Sequence, residues 1–170
     1  CTDNRISVRR RMSGGGAVYH DAGNLNYSFI STIREGKPVL SSDFLVPVVD
    51  VLNSMNIPVE IGKRKDLWLP GGYKVSGAAS HISRNRQLHH GTLLYDANLE
   101  QLQHSLTVKE KDNNLKGTAS VPSVVKNIRT FLEEQTGMAP DKKEFFELCV
   151  KQFSTYYGTS VSLLTQTEVA

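Results

Sequence analysis

The sequence predicts an α+β, or mixed α/β, domain built around one sheet, and three observations carry that reading. Strand-like patterns dominate roughly the first 100 residues and helical patterns the rest, and no linker separates two domains. The length of 170 residues matches one ordinary domain with a sizeable core. An apolar fraction of 39% against 22% charged residues argues against a disordered chain, and no apolar run reaches the roughly 20 residues that span a bilayer.

Each element has its own signal. Arg5–Val8 reads as a short strand leading into the basic run Arg9, Arg10, Arg11. Ser13 opens Gly14-Gly15-Gly16, which a helix or strand interior holds only at large entropic cost, so a tight loop is expected. Ala17–His20 reads as a strand. Leu25–Thr32 is a stronger one, because Leu25, Tyr27 and Phe29 alternate with Asn26 and Ser28. Ser41–Met55 is a predicted helix. Phe44, Leu45, Val48, Val49, Leu52 and Met55 share helical spacing, Ser41 or Ser42 serves as N-cap, and Pro47 fits only near the first turn.

Val59–Ile61, Asp66–Leu69 and Tyr73–Ala79 are expected short strands, with Gly71-Gly72 as the hairpin turn between the last two. Leu88–Tyr95 is a further strand. Asn98–Leu106 forms a short helix with Leu99, Leu102 and Leu106 on one side, and Lys109–Gly117 a charged surface loop. Pro122–Glu134 is expected to be helical, with Val124, Val125, Ile128, Phe131 and Leu132 on one face. Asp141 followed three residues later by Glu144 is a capping box, and Gly158 closes that helix. Val161–Leu164 reads as a last strand.

Composition narrows the function classes. Lys and Arg total 20 against 17 Asp and Glu, and the resulting +3 is too small to mark a nucleic-acid binder. The two cysteines, Cys1 and Cys149, make no disulfide framework and favour a reducing compartment; their spacing also argues against a Cys-based zinc site. With Cys1 in first place and Met12 as the first Met, the chain is expected to start after its natural initiator.

Three segments hold the candidate chemistry. The first is Arg10-Arg11-Met12-Ser13-Gly14-Gly15-Gly16-Ala17-Val18-Tyr19-His20-Asp21. Glycines let backbone N–H groups approach an anion, and guanidinium forks suit phosphate oxygens. A flexible turn beside a solvated basic face is the alternative. The run is neither a P-loop nor GxGxxG. The second is Lys74-Val75-Ser76-Gly77-Ala78-Ala79, where small residues leave room against the strand and Lys74 aims a point charge into it. The commoner fate of such a lysine is to guard a sheet edge. The third is His89-His90-Gly91-Thr92. Adjacent strand residues point to opposite faces, so the two rings do not share a metal, and a packed, hydrogen-bonded role is expected for at least one.

Together these segments resemble the lipoate–protein ligase and lipoyltransferase family. The chain carries, in family order, Arg10 to Asp21, Asp66-Leu67, Lys74 to Ala79 and His89 to Leu94, with Gly23-Asn24-Leu25-Asn26 adding to the match. The resemblance covers essentially residues 1–170 and implies one catalytic domain lacking the family's N-terminal segment and C-terminal accessory domain. It implies a central sheet flanked by helices, like the catalytic domains of biotin protein ligases and class II aminoacyl-tRNA synthetases. The implied activity is transfer of a lipoyl group from lipoyl-AMP to a lysine of a lipoyl-domain protein, with or without prior activation of lipoate by ATP.

The resemblance also implies roles. Lys74 is the catalytic cation, contacting the phosphate and acyl carbonyl. Arg11, Ser13, Gly14, Gly15, Gly16, Ala17, Val18, Tyr19, Gly77, Ala78 and His90 bind the adenylate or acyl chain, with His90 rather than His89 facing the site. Asp66 holds Mg²⁺ if ATP is used. The implied partners are 2-oxoacid dehydrogenase E2 subunits and the glycine cleavage H protein, with no nucleic acid, no membrane and a monomeric state. His81 stands where many bacterial ligases carry Arg, which bears on the ATP half-reaction. Residues 121–127 look closer to mitochondrial lipoyltransferases, so a mitochondrial location is favoured over a bacterial cytoplasm. The alternatives are an octanoyl or lipoyl amidotransferase acting between carrier proteins, and a non-catalytic lipoyl-domain-binding relative. A Cys-dependent octanoyltransferase is disfavoured because residues 51–73 contain no Cys.

Overall fold

Five antiparallel strands form one sheet in the computed structural model, which describes residues 6–36, 39, 42–107 and 123–164. In chain order they are β1 (Asn24–Thr32), β2 (Glu60–Ile61), β3 (Leu67–Leu69), β4 (Tyr73–Ser83) and β5 (Arg86–Leu94). Across the sheet the order is β1-β5-β4-β3-β2. The helices are α1 (Val46–Ser54), α2 (Leu99–Leu106), α3 (Ile128–Thr136) and α4 (Lys142–Tyr157). Among the described residues no helix is long and apolar enough to cross a membrane.

One sheet face and the helices share the core. Tyr27, Leu67, Leu69, Val75 and Leu93 pack with Val48 and Leu52 of α1, Ile128, Phe131 and Leu132 of α3, and Phe145 and Cys149 of α4. Each buried Leu, Ile or Phe contributes roughly 1.5–3 kcal/mol of transfer free energy, and this shared face outweighs any local propensity. Tyr95, just past β5, stacks on Phe145 at 3.8 Å between ring centroids and donates its hydroxyl to Pro140 C=O at 2.5 Å. Burial pushes its phenol up to about 12, so it remains a donor throughout the physiological range.

The strand alternation in 25–32, the Gly71-Gly72 turn (φ +86° and +78°), the Asn98 cap and the Asp141–Glu144 capping box with Gly158 at φ +60° all stand as expected. Other expectations need correction. Residues 6–8 and 17–20 meet no partner strand among the described residues, and a period-2 pattern of three or four residues does not supply one; Arg5 lies outside those residues. The 41–55 helix is a 3₁₀ turn, Ser42–Leu45, running straight into α1. That is why α1 has no serine cap, and Pro47 falls in the first α turn, where its missing N–H costs nothing. Ser41 is outside the described residues.

The helix expected from Pro122 begins only at Ile128. β-branched Val124 and Val125 favour extended backbone, and Val125 bridges Lys74 in parallel register. Asn127 ends that extension. Its side chain is occupied by Ala97, accepting from the Ala97 N–H at 3.0 Å and donating to the Ala97 C=O at 2.8 Å. Val161–Leu164 is not a strand; Leu163 and Leu164 find no core and stay exposed. The loop expected at Lys109–Gly117, together with Val121 and Pro122, lies outside the described residues. β4 runs four residues beyond Ala79 and joins β5 through Arg84-Asn85, both at positive φ (+46° and +60°). Without a glycine, that two-residue turn left no sequence signal.

Gly91 shows why a strand glycine sits inside the His-His-Gly-Thr run. A Cβ there would lie 2.3 Å from the Tyr27 hydroxyl and 2.9 Å from the Gly77 carbonyl oxygen. Gly91→Ala is therefore expected to lower stability by about 1–3 kcal/mol, read as a fall in the denaturation midpoint. An unchanged midpoint would show that the Tyr27 ring moves freely and is not wedged across the strand.

Candidate active site

The sheet's second face, away from α1, α3 and α4, gathers the sequence-predicted residues. Trp68 lies between core-facing Leu67 and Leu69 and so points outward, and its ladder partner Lys74 points the same way. Val75 is an extra residue in β4, set between the pairs Leu67–Ser76 and Trp68–Lys74. This bulge lets Val75 and Ser76 both enter the core while Gly77 and Ala79 return to the outer face. Gly77 pairs with Thr92 and Ala79 with His90, so those four share the face with Lys74. Ala78 does not: it pairs with Gly91 and faces the helices, a correction to its expected place. A Cβ added at Gly77 would meet nothing within 4 Å, so the sheet is open above it.

The glycine segment reaches over this face. Ser13 Oγ lies 2.6 Å from His90 Nε2. Arg11 curls around the glycines and donates from Nη2 to the carbonyls of Gly14 (2.8 Å) and Gly16 (2.7 Å). Gly15 sits at φ +106°, a conformation that favours glycine, and a Cβ there would press on the Arg11 guanidinium 2.8 Å away. Arg11 thus organises the loop through its carbonyls. Ala17 and Val18 are exposed and Gly16 and Tyr19 half-buried. The motif's last residues are structural. Asp21 accepts from the N–H groups of Gly23 and Asn98, both at 2.8 Å, and Gly23 C=O accepts from Tyr95 and Asp96.

Lys74 is fixed from three sides. Its N–H donates to Val124 C=O at 2.8 Å, its carbonyl accepts from Lys126 N–H, and its ammonium lies 3.2 Å from Asp66 Oδ2. Asp66 is 4% exposed. Burial alone would raise its carboxyl, but hydrogen bonding from Trp68 and the Lys74 charge outweigh that and hold it below the usual range. One carboxylate oxygen, Oδ2, is paired with Lys74, and among the described residues no three His, Cys, Asp or Glu side chains cluster as a metal site. Asp66 is thus the counter-charge of Lys74, and a single carboxylate holds Mg²⁺ only together with the phosphates of a bound nucleotide.

His89 and His90 point to opposite faces. His89 is buried in the core, its Nδ1 2.9 Å from Ser80 Oγ and its ring stacked on Phe44. Burial holds both rings below the ordinary 6.5, with Lys65 and His90 adding for His89, and Arg11 and His20 for His90. The folded state therefore keeps them neutral while the unfolded chain takes up protons near 6.5. Their contribution is intact above that value and is lost as pH falls through it toward the folded values. Denaturation at about pH 5 is expected to show lower stability than at about pH 7.5, with His89→Gln flattening the difference; a pH-independent midpoint would contradict this.

Two participants left little trace in the sequence. The Val75 bulge decides which residues face outward, and no residue type marks it. The extended segment 123–126, which holds the Lys74 backbone, was hidden by a helical spacing of apolar residues; the adjacent Val124-Val125 was the available signal.

Comparison with known proteins adds a lineage. A family profile described as the lipoyl protein ligase A/B catalytic domain matches residues 1–154. A lipoate-protein ligase of Bacillus subtilis is 38% identical over 133 residues, covering 78% of this chain and 40% of that protein. Lipoate–protein ligase 1 of Staphylococcus aureus is 39% identical over 138 residues, covering 81% and 42%. The chain thus spans about two fifths of these relatives' lengths. Among solved structures, that of a bipartite lipoate protein ligase and its E2 lipoyl domain from Thermoplasma acidophilum matches at a TM-score of 0.71 and 25% identity, over 99% of this chain and 65% of that one. A lipoate-protein ligase A bound with ATP shares the fold at 0.68 and 23% identity, over 99% and 66%. These two sequence relatives are bacterial and do not support the mitochondrial placement drawn from residues 121–127.

Proposed function

This chain belongs to the lipoyl protein ligase A/B catalytic-domain family, and from that premise we propose that it attaches lipoate to proteins by transferring the lipoyl group of lipoyl-AMP to an acceptor lysine. The observation that carries the reading is a single one: Lys74, a strand left open at Gly77, and the glycine loop held by Ser13 and His90 share one sheet face. The acyl-adenylate lies across that face. Backbone N–H groups of the glycine loop receive its phosphate, Gly77 and Ala79 form the floor, and Arg11 and His90 hold the loop in place.

In the step itself, the amine of the acceptor lysine attacks the acyl carbonyl carbon. A C–N bond forms, the C–O bond to phosphate breaks, AMP leaves with the electron pair, and the amine gives its proton to solvent. Lys74 stabilises the negative charge that builds on the carbonyl oxygen and phosphate, and Asp66 positions it. No side-chain nucleophile is required. Cys149 does not offer one: it is 3% exposed, and burial pushes its thiol up to about 12, far from the thiolate an amidotransferase needs. Acceptors are lipoyl-domain proteins, the E2 subunits and H protein of the resemblance, in line with the E2 lipoyl domain that accompanies the Thermoplasma ligase.

The test separates the donors. Acceptor lipoylation is measured with lipoyl-AMP alone, with lipoate plus ATP and Mg²⁺, and with a lipoylated or octanoylated carrier domain. The reading expects modification from lipoyl-AMP. Modification from the carrier domain alone would instead establish the amidotransferase, and activity with lipoate plus ATP would add the activation half-reaction.

A further inference from the structure

The loop between β2 and β3, residues 62–66, has three consecutive cations at its tip, Lys63-Arg64-Lys65, all exposed. It is closed on both sides: the Gly62 N–H donates to the Asp66 carbonyl at 2.8 Å, and the Lys65 N–H donates to the Gly62 carbonyl at 3.0 Å. In three-residue hairpin loops the last position takes the left-handed conformation, which glycine adopts without steric cost. Here that position is Lys65, at φ +58°. A cation stands where backbone ease favours glycine, and exposed Lys63 and Arg64 beside it suit the tip's charge to use at a surface.

The loop's place gives that use a direction. The residue after the tip is Asp66, the partner of Lys74 at 3.2 Å, so the three cations stand at the rim of the face where acyl transfer is placed above. The charge around it is one-sided. Residues 60–86, which include β2, β3 and β4, carry six Lys and Arg against two Asp and Glu, whereas residues 123–164, with α3 and α4, carry five of each. A convex, exposed tip does not enclose a small anion, but it does meet a broad acidic surface and steer its approach.

We propose that the Lys63-Arg64-Lys65 loop is an acceptor-docking element that engages carboxylates beside the target lysine of the incoming protein domain. The proposal rests on the lipoyl-transfer reading. Docking through exposed charges raises the encounter rate and fades with ionic strength, while leaving adenylate binding alone.

The test compares the wild type with Lys63→Glu/Arg64→Glu and with Lys65→Gly. The acceptor is an apo lipoyl domain of a 2-oxoacid dehydrogenase E2 subunit, with saturating lipoyl-AMP at low and high salt. Affinity for a non-transferable sulfamoyl analogue of lipoyl-AMP is measured in parallel. The double charge reversal is expected to lower acceptor kcat/KM at least tenfold at low salt, to converge on the wild type at high salt, and to leave analogue affinity unchanged. Lys65→Gly is expected to raise the denaturation midpoint and still lower acceptor kcat/KM. Unchanged acceptor kcat/KM in both variants overturns the proposal. Loss of analogue affinity overturns it too, by assigning the loop to the nucleotide. A wild type that neither binds the analogue nor modifies the acceptor defeats the lipoyl-transfer reading beneath it, which is a distinct result.

Discussion

Lys74→Ala is expected to slow single-turnover transfer from lipoyl-AMP to an acceptor domain on the order of 10²-fold or more, the scale of removing one preorganised oxyanion donor. The structure adds a complication that the sequence did not show. Asp66 is buried beneath this lysine, and truncation leaves its carboxylate without a counter-charge. Losing one partner of a buried pair costs about 3–5 kcal/mol, so the single variant is less stable as well as slower. Lys74→Ala/Asp66→Asn removes both charges and separates the effects: stability should recover while transfer stays slow. Lys74→Arg should also remain impaired, since a planar fork does not occupy the place of a compact ammonium. A stable double variant with wild-type transfer would return Lys74 to the role of an ordinary strand lysine.

Gly77→Leu is expected to weaken adenylate binding sharply while sparing the fold. A Cβ at Gly77 has nothing within 4 Å, so a side chain leaves the strand there without a clash at its root, and strand propensity favours leucine over glycine. The same side chain fills the floor on which the acyl-adenylate is placed. Calorimetry should register a loss of affinity on the order of 10²-fold, about 2.7 kcal/mol, with the denaturation midpoint unchanged or raised. Full affinity in this variant would move the ligand off the strand. The contrast with Gly91 is informative, because that glycine faces the opposite way and its replacement should cost stability instead.

The sequence made the sheet legible wherever burial imposes alternation, as at Tyr27 and Phe29, and it marked helix ends wherever a side chain makes the cap, as at Asp141 and Asn98. It failed where backbone geometry acts without a residue signature. The Val75 bulge turns Ala78 away from the outer face, and the glycine-free Arg84-Asn85 turn lengthens β4. Apolar spacing also misled at Val124 and Val125, where pairing with Lys74 overrides a helical pattern. At the candidate site, the sequence read the residue types but not their commitments. Arg11 spends its guanidinium on the glycine carbonyls, and Asp66 spends its carboxylate on Lys74.

The central claim is that the acyl-adenylate lies on the outer sheet face between Lys74 and the glycine loop. A crystal structure with the sulfamoyl analogue of lipoyl-AMP tests it most directly. The account predicts the acyl carbonyl oxygen within hydrogen-bond distance of Lys74 Nζ, the sulfamoyl group against backbone N–H groups of the glycine loop, and part of the ligand resting on Gly77. An analogue bound on the helical side, or one lying elsewhere while Lys74 remains paired only with Asp66, would contradict it.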